Sequence, residues 1–131
     1  SLRLPPLVDA CTAMQTLKSL LEDNAPYNAK VSFRPDQGSA TGWNAPTTAP
    51  WLSTALNAAS QQYYGAPCGY IGQGGTIPLM NMLEKGFPKA QFMVCGVLGP
   101  KSNAHGPNEF LHVPYGKRLT AAVAQVIGAC P

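Results

Sequence analysis

Gln91-Phe92-Met93-Val94-Cys95-Gly96-Val97 is the stretch on which the fold assignment turns. It is a continuous apolar run, the pattern of a strand covered on both faces. Working outward, Pro114 opens a last helix whose Leu119, Ala122, Val123, Val126 and Cys130 point inward. Upstream, Gly72-Gln73-Gly74-Gly75 runs into Thr76, which can cap a helix from Ile77 to about Lys85. Pro78 falls in the first turn of that helix, where no amide donor is required. A short strand is expected near Cys68 to Ile71. Before it, Leu52, Ala55, Leu56, Ala59 and Tyr63 form a helical stripe stopped by Gly65 and Pro67. Helix, strand, helix, strand, loop, helix makes residues 51–131 an α/β unit.

The amino-terminal part predicts a second, smaller unit. Ser1, Leu2, Arg3 and Leu4 alternate as a strand does, until Pro5-Pro6 removes two ladder donors. Asp9 is a candidate N-cap for a helix carrying Ala10, Met14, Leu17, Leu20 and Leu21, closed by Asn24 and Pro26, and a strand from Lys30 to Arg34 follows. Strand, helix, strand is half of a split βαβ sandwich and cannot close its own sheet. Prolines, glycines and small polar residues between Pro35 and Pro50 read as a connection. The expected organisation is therefore 1–34 as a partial lid or dimerisation domain, 35–50 as a linker, and 51–131 as part of an α/β domain.

Composition narrows the function classes. Of 131 residues, 45% are apolar and only 11% charged, well under the roughly 25% charge of an ordinary globular chain, which suggests surfaces that expect neighbours. The net charge of +3 is spread over nine Lys and Arg with no basic run, so no nucleic-acid partner is expected. No apolar stretch approaches the ~20 residues that span a bilayer, and the first eight residues are not a secretory signal. Cys11, Cys68, Cys95 and Cys130 form no C-x-x-C pair and read as buried thiols of a reducing compartment rather than as disulfides, which points to a cytoplasmic location.

Chemistry is concentrated after the apolar run, in Gly99-Pro100-Lys101-Ser102-Asn103-Ala104-His105-Gly106-Pro107-Asn108-Glu109. Loops leaving strand ends are where α/β folds build their sites. His105 can ligate a transition metal through neutral imidazole, and Glu109 four positions on can orient such a ligand. By spacing alone, a lone loop histidine is ordinarily a solvated or hydrogen-bonded side chain, and His112 is read as structural. Gly74-Gly75-Thr76 offers backbone amides at a helix start, suited to a carboxylate or an oxyanion, although a tight turn with a Thr cap gives the same pattern. Arg3 could clamp a carboxylate through its planar fork.

These signals occur together in one family. Gly74-Gly75-Thr76-Ile77-Pro78 resembles the Gly-Gly-Ser/Thr-Ile-Pro motif of carnosinase- and aminoacylase-type dinuclear zinc peptidases, a family of dipeptidases, carboxypeptidases and amidohydrolases. Ala104-His105-Gly106-Pro107-Asn108-Glu109 resembles their closing His-x-x-Asn-Glu loop, and Ser1-Leu2-Arg3-Leu4 resembles a strand of their ferredoxin-like lid. Gln73 departs from the Glu that close relatives often carry. The resemblance implies a carboxy-terminal portion of an enzyme in which two zinc ions activate a water that attacks the amide bond of a dipeptide or N-acyl amino acid. It also implies that His105 is a zinc ligand, that Gly75, Thr76 and Arg3 receive the substrate carboxylate, and that Asn108 and Glu109 hold the His105 loop. One histidine supplies at most one of the three or four donors a zinc ion needs, so the chain alone is expected to be inactive without a missing amino-terminal catalytic region. A noncatalytic binding or dimerisation module, with a homodimer through the lid, is the alternative that the same resemblance allows.

Overall fold

The computed structural model describes residues 2–35, 40–72 and 78–131. Regular structure among them is helical: α1 (Ala10–Glu22), a 3-10 turn (Pro26–Asn28), α2 (Pro50–Tyr64), α3 (Pro78–Gly86) and α4 (Val113–Gly128). No strand forms among the described residues. This overturns the α/β expectation, both the strand-helix-strand lid and the sheet of the larger unit.

The physical reason is that a strand exists through its ladder, and here the relevant polar groups bond elsewhere. The Phe33 N–H, placed by its sequence in a strand, donates to Glu22 Oε1 at 2.7 Å. Just past the first expected strand, Val8 N–H closes a turn onto Pro5 O at 3.1 Å. Gln91 uses its side-chain oxygen to accept the Ala49 N–H at 2.6 Å, and Met93 packs against a helical core. Met93 carries the run's contact with the helices, while Val94, Cys95 and Gly96 are exposed, so the run is not a strand covered on both faces.

The helices follow from local chemistry. Asp9 caps α1, its carboxylate accepting the Thr12 N–H at 2.8 Å and the Thr12 hydroxyl at 2.9 Å. These bonds, the Thr12 backbone foremost, hold the Asp9 carboxyl below its ordinary range. Lys18 and Glu22 pair at 2.6 Å one turn apart. Helix α2 starts on Pro50 and ends at Gly65, whose φ of 72° is the left-handed cap that glycine adopts without a Cβ clash, its N–H returning to Gln61 O at 3.1 Å. Helix α4 is capped by His112, whose Nδ1 accepts the Tyr115 N–H at 3.1 Å.

Two compact units result: Ser1–Ala45 with Gly72–Ala90, and Pro46–Ile71 with Gln91–Pro131. In the second, α2 packs on α4 through buried Leu52, Ala55, Ala59, Ala122 and Val126, with Trp51, Leu56, Tyr63, Tyr64 and Met93 around them. Alanine at three of the five buried positions lets the helix backbones approach, and Leu52, 2% exposed, fills the remaining space. In the first unit the only buried apolar side chain among the described residues is Ala10. Its ties are polar. Thr41 Oγ1 accepts the Ala10 N–H at 3.2 Å, Trp43 Nε1 donates to Glu84 Oε2 at 2.8 Å, and Glu22 binds Phe33 as above. Gly42 is required by close approach, since a Cβ there would lie 2.8 Å from Pro6 Cα.

The cysteines also differ from expectation. All four are free thiols, but Cys11, Cys95 and Cys130 are exposed and Cys68 is half-buried. Cys130 lies past the end of α4 rather than on its inward face. No helix among the described residues is long and apolar enough to cross a membrane.

Candidate functional site

The polar loop from Gly99 to Phe110 belongs to the second unit, between the apolar run, whose Met93 packs on the α2–α4 core, and the His112 cap of α4. Its backbone is unusual. Lys101, Asn103, His105 and Asn108 have φ of 68°, 55°, 61° and 57°, all in the left-handed region. Asparagine tolerates that region, but Lys101 and His105 are held there at a cost of order 1–3 kcal/mol each.

What holds them is a set of short-range hydrogen bonds. Ser102, 2% exposed, accepts the Gly99 N–H on Oγ at 2.8 Å and returns its own N–H to Gly99 O at 3.1 Å. Its carbonyl accepts the Phe110 N–H at 3.2 Å. Asn103 Nδ2 donates to Pro107 O, and Gly106 N–H donates to Asn103 O at 2.9 Å. A Cβ on Gly106 would come within 2.7 Å of the Asn103 side chain, so a larger residue there would push that amide aside. Glu109 Oε2 accepts the His105 N–H at 3.0 Å. Glu109 therefore holds the main chain of His105, while the His105 side chain stays exposed on a braced loop.

Of the expected site residues, the structure brings His105, Asn108 and Glu109 into this one loop. Arg3 is exposed in the first unit. Gly75 and Thr76, with Gln73, lie outside the described residues. Ser102 and Asn103 were not singled out from the sequence. Their signal was present in the spacing of Gly99, Ser102 and Asn103 to Gly106, since Ser and Asn side chains commonly bond nearby backbone.

A zinc ion needs several donors, and the described residues contain no group of three or more His, Cys, Asp or Glu side chains able to hold one. His105 is a single candidate donor, so these residues do not fit a zinc site by themselves. A groove of about 410 Å³ between α2 and α4 is lined by Trp51, Thr54, Ala55, Ala58, Gln125 and Ala129, none of them ionisable, and does not offer an acid–base pair for hydrolysis. At the end of α2 the Tyr64 hydroxyl is buried without a hydrogen-bond partner among the described residues, its ring 5.2 Å from that of Tyr115. Burial first, and Tyr115 second, push this phenol above its ordinary range.

No protein-family model matches the chain. A curated relative does. Over 118 residues the chain is 34% identical to a cysteinylglycine-S-conjugate dipeptidase of Corynebacterium striatum. The likeness is to a dipeptidase. It takes in 83% of this chain and 24% of the relative, so the chain spans about a quarter of the length of the curated relative it matches.

Proposed function

We propose that this chain is one part of a metal-dependent peptidase or amidohydrolase that cleaves the amide bond of a dipeptide or an N-acyl amino acid, and that it does not turn over substrate alone. The observation that carries the proposal is the His105 loop, a histidine exposed on a strained, braced backbone within a chain 34% identical to part of a dipeptidase. In this reading His105 contributes one zinc ligand, and Glu109 and Asn108 keep its loop in place. Arg3, Gly75 and Thr76 receive the substrate carboxylate. In this reading the other ligands of two zinc ions come from outside the described residues, which hold no group of three or more His, Cys, Asp or Glu able to bind a metal. Zinc, when bound in such an assembly, supplies an activated water. The chain's own part is to present an imidazole from a braced loop.

The test uses the chain alone and the chain in place. Purified with zinc and a cysteinylglycine S-conjugate, the isolated chain is expected to give no turnover. Substituted for the matched region of the Corynebacterium striatum dipeptidase, it is expected to support hydrolysis, and His105→Ala in that chimera to abolish it. Turnover by the isolated chain would overturn the first half of the proposal. An active chimera indifferent to His105→Ala would overturn the second.

A further inference from the structure

Helix starts are ordinarily capped by Ser, Thr, Asp or Asn, whose side-chain oxygens accept a first-turn N–H at any pH near neutrality. At α4 the cap is instead His112, whose Nδ1 accepts the Tyr115 N–H at 3.1 Å. Only a neutral imidazole with its proton on Nε2 can do this, because a protonated ring carries an N–H at both nitrogens. We propose that His112 is an acid-sensitive latch on the first turn of α4, closed while the imidazole is neutral and opened when it takes up a proton. The inference is independent of the peptidase reading and stands on the geometry of the cap.

The first turn of α4 has few donors for a cap to serve. Pro114 has no N–H, and the Gly116 N–H already returns to His112 O at 3.0 Å, which leaves those of Val113 and Tyr115. A proton on Nδ1 sets donor against donor at Tyr115 and places positive charge at the positive end of the helix, so both effects open the latch. Histidine is the side chain that ordinarily changes charge between about pH 5 and 8, and His112 is exposed, with solvent to exchange its proton. The titratable and charged groups at this end of the unit are Glu109 from the loop, Tyr115, Lys117 and Arg118 on α4 itself, and Tyr64 from α2, which feels Tyr115, Arg118 and the Cys95 of the apolar run. Glu109 is engaged by the His105 N–H, and no ion pair joins His112 among the described residues. Lys117 and Arg118 are cations and oppose a further positive charge. Opening reaches past the cap itself, because the Tyr115 ring lies 5.2 Å from that of Tyr64 and the chain just before His112 is tied to the loop by the Phe110 N–H on Ser102 O. The buried contacts of Leu52, Ala55, Ala59, Ala122 and Val126 contain no titratable group, so the helical pair outlasts its latch.

The experiment follows the Tyr115 amide in the full chain. Its exchange with water is measured by NMR from about pH 8 to about pH 5, each rate divided by the intrinsic rate at that pH, with amides in the middle of α2 and α4 as the folding control. Protection at Tyr115 is expected to fall about fivefold or more as the imidazole is protonated, while the mid-helix amides stay protected. The Thr12 amide on Asp9 is the matched comparison: a carboxylate held below its ordinary range stays charged over this whole interval, so that cap is expected to hold throughout. His112→Asn, which supplies a neutral cap that does not titrate, is expected to keep Tyr115 protected at both ends of the range, and His112→Ala to leave it unprotected at both. His105→Gln separates the two histidines and is expected to leave the pH dependence in place. Equal protection of Tyr115 at both ends in the unmodified chain would overturn the proposal, as would a pH dependence that survives His112→Asn or disappears in His105→Gln. Because His112→Asn retains a cap, the outcome does not hang on whether His112→Ala folds.

Discussion

The two units of this chain are held together by different physics. The second is an apolar pair of helices, with five buried hydrophobic residues between α2 and α4. The first buries one alanine among the described residues and relies on side chains that reach across tens of positions, from Thr41 to Ala10 and from Glu84 to Trp43, with Glu22 to Phe33 over a shorter span. Apolar contacts are non-directional and insensitive to pH, whereas a carboxylate tie lasts only while the carboxylate is charged. Chain segments with little to bury are thus ordered by groups that titrate, and the site loop, lying in the second unit, is ordered by neutral main-chain and hydroxyl groups with one carboxylate.

The sharpest way to break this contrast is to truncate one leucine in each unit. Leu52→Ala removes the side chain at the centre of the helical pair and is expected to cost about 2–5 kcal/mol, read as lost α2 and α4 helicity in denaturant melts. Leu20→Ala, at a position 73% exposed on α1, is expected to stay within about 0.5 kcal/mol. Equal costs would mean that the first unit has an apolar core after all. Next in size is Gly65→Ala, which forces a Cβ into φ 72° at the end of α2 with no neighbour to clash against, and should cost about 1 kcal/mol in the same melts.

Titration separates the units without mutation. The Glu22 carboxyl is held below its ordinary 4.5, by Lys18 first and the Phe33 N–H second, and Asp9 is held below 3.8. Folded values below unfolded ones mean that both contributions are fully present above those ordinary values and are lost as pH falls through the lowered ones. The Phe33 amide chemical shift should therefore move only in acid below pH 4.5, and Glu22→Gln should abolish that movement. The second unit has the opposite sign. Tyr64 is raised above its ordinary 10.0, so its contribution is whole below that pH and is lost as pH rises through the raised value. The smallest effect expected is that of Tyr64→Phe, which removes a buried hydroxyl lacking a partner; stability at neutral pH should be nearly unchanged and the alkaline transition weakened.

Helices were legible in the sequence because their signals are local. Asp9, Gly65 and Pro78 mark starts and stops through their own backbone chemistry, and the stripes of α2 and α4 repeat within one element. Strands were misjudged for the complementary reason. Phe33 and the Gln91–Val97 run carry the composition of strands, but a strand is completed by a neighbour, and here the Phe33 N–H goes to Glu22 while Met93 of the run packs on the helical pair. Within the site, His105 and Glu109 stood out by residue type and spacing. Ser102 did not, because nothing in its identity distinguishes a buried serine from an exposed one.

By itself the sequence determined where the helices lie, that cysteine pairs of metal-site spacing are missing, and which loop carries an imidazole beside an acid. These depend on residue type and short spacing, which the chain carries whatever it folds into. Only the tertiary structure decided that the apolar run joins no sheet among the described residues, that Glu109 binds the main chain of His105, and that a serine becomes the knot of the loop. Each of those depends on which group arrives first at an open hydrogen bond or an uncovered surface, and that is settled between segments rather than within them.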